Sequence, residues 1–73
     1  MQPKVWILFE WTWPDNEGRS EKVIAVHSNE QSALNDFATF LPDSPCKIGA
    51  DYPLDESNLK GYRIEMWYVV NVA

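Results

Sequence analysis

The chain has 73 residues, of which 45% are apolar and 23% charged, a balance that excludes a disordered tail and fits one small domain. A chain this short buries only about 60% of its unfolded surface, so its core contributes a few kcal/mol. Eleven acids against six bases leave a net charge of −5, which argues against binding a phosphate backbone.

The amino terminus does not read as a secretory signal: the apolar run of residues 5–9 stops at Glu10 and no small-residue cleavage site follows. No stretch reaches the roughly 20 apolar residues of a membrane-spanning helix. The single cysteine, Cys46, suits a reducing compartment. These features point to the cytoplasm, the host's if the chain comes from a phage or mobile element.

Residues 4–13 are rich in β-branched and aromatic types and read as a first strand. Pro14 ends it, and the polar stretch through Gly18 reads as a hairpin loop leading to a second strand over residues 22–27. Ser28 and Gln31 stand at capping-box spacing. Ala33, Leu34, Phe37, Ala38 and Leu41 then form one apolar helical stripe that stops at Pro42. The pattern predicts a helix over residues 29–41. Residues 42–61 hold three prolines and two glycines and read as a long loop, followed by a last strand over 62–70.

This order predicts an α+β fold of ββαβ type. Its sheet is a three-stranded antiparallel one, ordered 2-1-3, with one helix on one face and a long loop before the last strand. Alternation puts Val5, Ile7, Phe9, Trp11 and Trp13 on one side of the first strand. Ile64, Met66, Tyr68 and Val70 form the cleaner apolar row of the last strand. Both rows are expected to face the helix. The opposite face would then expose Trp6, Leu8, Trp67 and Val69, a patch to be covered by the long loop, by a second copy in a homodimer, or by a partner.

The opening Lys4-Val-Trp-Ile-Leu, the central stretch of residues 23–37 and the closing run of residues 62–67 resemble a group of small, functionally uncharacterised bacterial and phage domains. The similarity covers about three-fifths of the chain, and the resemblance implies a strand–strand–helix–strand fold and no activity.

Catalytic chemistry has little to work with. His27 sits at a strand end, and Cys46 beside Lys47 is a lone thiol outside any recognisable motif. One His and one Cys cannot complete a structural zinc site. Asp51, Asp55 and Glu56 lack calcium-loop spacing, and no Gly-rich phosphate cradle is present. No cofactor, metal, nucleic acid or membrane partner is expected. Trp6 and Trp67 could stack bases, but the six scattered cations oppose it.

The function expected instead is non-enzymatic: a small acidic protein-binding module, in the style of a phage or mobile-element inhibitor acting on a host protein with a basic surface. Trp11, Trp13 and Tyr52 would anchor the contact, with Asp15, Glu17, Asp51, Asp55 and Glu56 supplying charge. The competing reading is a homodimeric accessory domain sealed through Trp6, Leu8, Trp67 and Val69.

Overall fold

A computed structural model describes residues 3–13, 18–57 and 59–69. In chain order the elements are strand β1 (Lys4–Thr12), strand β2 (Ser20–His27), helix α1 (Glu30–Phe40), strand β3 (Tyr52–Pro53) and strand β4 (Lys60–Tyr68). The sheet is antiparallel throughout, with order β2-β1-β4-β3. The hairpin β1–β2 runs from Thr12 opposite Ser20 to Trp6 opposite His27, with a bulge where the register shifts between Leu8 and Phe9. Gly18 lies in the connection at φ +84, backbone that favours glycine.

The expected three-stranded sheet of order 2-1-3 is therefore corrected to four strands. The long connection contributes β3, whose Tyr52 pairs with Tyr62 and Pro53 with Gly61. Leu54 N–H donates to the Lys60 carbonyl at 2.7 Å and continues the pairing. Tyr52 is held by packing rather than by strand pattern. Its ring meets Phe37 edge-on at 5.4 Å, and its hydroxyl accepts from Lys47 N–H at 2.7 Å. Two residues, one a proline, carry no alternation to read.

Helix α1 begins one residue later than the capping box implies. Asn29 is the cap, at φ −142 and ψ 156, and its Oδ1 accepts from Ser32 N–H at 2.8 Å. Gln31 does not reach back; its amide donates to Asn35 Oδ1 at 2.9 Å. The helix buries Ala33 and Phe37 against Leu8, Tyr62 and Ile64, and Phe40 stacks on Tyr62 at 4.6 Å.

The face of β1 that meets the helix is the opposite of the expected one. The β1–β4 register pairs Leu8 with Ile64, Trp6 with Met66 and Glu10 with Tyr62, and directly paired residues share a face. Leu8 and Ile64 are fully buried, so the even-numbered rows face α1. The same register ties Phe9 to Arg63, Ile7 to Glu65 and Val5 to Trp67. Charged Arg63 and Glu65 cannot sit unpaired beneath an apolar helix, so they carry the odd-numbered row of β1 outward with them.

Candidate binding face

The open face of the sheet divides into a charged half and an apolar half. In the charged half, the Arg19 guanidinium grips both carboxylate oxygens of Asp51, at 2.9 and 2.8 Å, and reaches Glu21 at 3.1 Å. Arg63 bonds Glu21 at 2.5 Å, Asp51 at 3.1 Å and Glu65 at 2.6 Å. Each guanidinium lies over a ring of β1, Arg63 5.0 Å from the Phe9 centroid and Arg19 4.7 Å from that of Trp11. Gly61 completes the layer, because a Cβ there would overlap the Trp11 indole and the Tyr52 carbonyl. Trp11 is consequently only 4% exposed.

Hydrogen bonding and charge act together in this lattice. The bond from Arg19 holds the Asp51 carboxyl below its ordinary range, and the bond from Arg63 does the same for Glu21. Both guanidinium groups are pushed the other way, Arg19 chiefly by its bond to Asp51 and Arg63 by its bond to Glu21. Two arginines, all that the chain possesses, are thus held by three carboxylates.

The other half is apolar and follows the register from Val26 to Ile7 and on to Val5 and Trp67. Val26 is 59% exposed and Trp67 54%; Val5 and Ile7 are half-buried. The Trp67 indole N–H donates to Glu65 Oε1 at 2.9 Å, which fixes the ring beside the lattice. Among the described residues no element crosses this face, since α1 packs on the other.

The residues expected to form the two interfaces are dispersed. Leu8 lies buried under α1 and Trp6 packs half-buried on the same side, so neither joins Trp67 on the open face. For the same reason Trp6 and Trp67 cannot form one stacking platform. Val69 is exposed just past the end of β4, where its N–H donates to the Pro3 carbonyl at 2.9 Å. Of the expected anchors, Trp11 is buried, Tyr52 packs on the core and Trp13 is exposed. Asp51 is engaged by the arginines, whereas Asp55 accepts from the Ser57 amide and hydroxyl and Glu56 is exposed. Asp15 and Glu17 lie outside the described residues.

Arg19, Glu21 and Val26 were not anticipated on this face. Arg63 and Glu65 share one parity in β4, and that signal alone placed them away from the helix. Elsewhere, His27 Nε2 lies 2.9 Å from Asp36 Oδ2 of α1. The Cys46 thiol is pushed up by burial and by the nearby Glu30 charge. Among the described residues no group of three His, Cys, Asp or Glu is placed to hold a metal ion. None of their helices is long and apolar enough to cross a membrane. No family model, curated protein or solved structure matches the chain.

Proposed function

We propose that the protein is a non-enzymatic protein-binding module whose contact surface is the apolar half of the open sheet face. The observation that carries this reading is the exposure of Val26 and Trp67, 59% and 54%, beside a lattice that covers Phe9 and Trp11 on the same face. An apolar centre with a polar rim is the usual anatomy of an interface. Trp67 is the natural anchor, because its ring is already oriented by Glu65 and loses little freedom on binding. The net charge of −5 steers association toward a basic surface. Inhibition of such a host protein in the cytoplasm is the activity this reading assigns. Asp51, one of the expected charge contributors, is neutralised within the lattice, so the steering charge is that of the molecule as a whole.

Two measurements test the reading. Light scattering coupled to size exclusion, from micromolar to near-millimolar protein, is expected to show a monomer. Val26→Lys and Trp67→Glu are expected to abolish capture of the partner from host lysate while leaving the melting temperature unchanged. Captured proteins that are indifferent to both variants would overturn the assignment. A dimer at every concentration, broken by the same variants, would establish instead that the face is sealed by a second copy.

A further inference from the structure

The free edge of β4 extends this reading from a face to a strand. The Leu59 carbonyl accepts from Trp13 N–H and Val69 N–H donates to the Pro3 carbonyl on the β1 side of the sheet, whereas the Lys60 and Ile64 carbonyls accept from Leu54 and Gly49 on the other side. Backbone groups alternate in direction along a strand, so the N–H and C=O groups of Met66 and Tyr68 point away from β1. The β3 pairing stops at Tyr62 and Gly49 takes only the Ile64 carbonyl. Among the described residues nothing takes the outward groups of Met66 and Tyr68. Beside them lies an open groove of about 400 Å³ lined by Ile48, Gly49, Glu65, Met66 and Trp67.

The other edges are guarded. The β2 edge carries Lys22 and sits beside a bulge, and β3 is two residues long with a proline, the devices by which proteins blunt sheet edges. Residues 66–68 have no charge, proline or bulge. Unpaired strand groups next to an apolar groove are the arrangement used in strand addition, where backbone bonds give affinity and the groove selects alternate side chains.

We infer that residues 66–68 of β4 and the groove beside them accept an extended, apolar, non-acidic segment of the partner protein as an added strand. This rests on the binding-module reading above. One row of the segment's side chains would enter the groove beside Ile48 and Met66, and the other would lie against Trp67. A second copy fits less well. It brings a further charge of −5, which opposes close approach of two copies.

The test is an amide NMR titration of the full chain with a blocked heptapeptide of alternating valine and threonine bearing a lysine at each end. Saturable shifts at Gly49, Met66, Trp67 and Tyr68 are expected, with slowed hydrogen exchange at Met66 and Tyr68. An analogue N-methylated at alternate residues is expected to bind about ten-fold more weakly. Tyr68→Pro removes an outward donor and no bond to β1, and should weaken binding similarly at an unchanged melting temperature. Should that variant unfold, the methylated analogue decides the matter. Val26→Lys should leave peptide affinity within about two-fold, so failure of the face and failure of the edge are read separately. Absence of saturable shifts at millimolar peptide, shifts confined to β2, equal binding by the analogue, or the same shifts on concentrating the protein alone would overturn the proposal.

Discussion

Gly61 lets the Trp11 indole pack closely against β4. The indole of Trp11 and the Tyr52 carbonyl occupy the space that a Cβ would need, so the glycine joins the open face to the β3 pairing. Gly61→Ala is expected to cost about 1–3 kcal/mol by overpacking. A domain of this size loses about 4–8 °C of melting temperature per kcal/mol, and thermal unfolding followed by circular dichroism reads it directly. An unchanged melting temperature would mean that both the Trp11 indole and the Tyr52 carbonyl can give way. Cys46 offers a second check at this scale. Burial and the charge of Glu30 hold its thiol above the ordinary value, which depletes the reactive thiolate. Alkylation at pH 8 is expected to be slower than for a free cysteine peptide and to recover in denaturant. The sequence shows Lys47 next to Cys46 but cannot show Glu30, which the fold delivers from the first turn of α1.

Helix α1 and the three long strands were legible, whereas the two-residue β3 and the orientation of β1 were not. The stripe through Ala33 and Phe37 locates α1 and its buried face, while Ala38 of that stripe is exposed. The cap was misread by one residue, because Ser28 and Asn29 are both good caps and only backbone geometry separates them. Asn29→Ala should therefore lower stability by about 1 kcal/mol, whereas Ser28→Ala should stay within about 0.5 kcal/mol. Urea unfolding midpoints distinguish the two, and equal losses would return the cap to Ser28. In β1 both rows are apolar, Val5, Ile7 and Phe9 against Trp6 and Leu8, so alternation alone leaves its orientation undecided. The answer lies in β4, whose Arg63 and Glu65 must face water, and in a register belonging to neither strand alone. The binding face was only partly visible for the same reason. Trp67 was singled out, but its neighbours Val26 and Ile7 come to it through pairing.

At the scale of the whole molecule, the arginine–carboxylate lattice ties together segments that the sheet alone leaves loosely joined. Asp51 precedes β3, Arg19 precedes β2 and Arg63 lies in β4, so one carboxylate links the connection to two separate strands. Asp51 and Glu21 both hold their protons less tightly in the folded chain than in the unfolded one, through the bonds from Arg19 and Arg63 respectively. The unfolded state therefore takes up protons first as pH falls. The stabilisation is complete above the ordinary carboxyl values, near pH 4, and is lost as pH drops through the lower folded values. Acidification also removes like-charge repulsion from a chain of net charge −5, which acts in the opposite direction. Comparison with a variant separates the two. Asp51→Asn combined with Glu21→Gln removes the titrating pair and is expected to lower stability at pH 7 by at most about 1 kcal/mol. Both side chains are about 40% exposed, and solvent screens such pairs. Between pH 5 and pH 3 the variant's stability should fall less steeply than that of the wild type, so the two curves converge. Parallel curves would show that the lattice contributes packing over Phe9 and Trp11 but no pH-dependent stability.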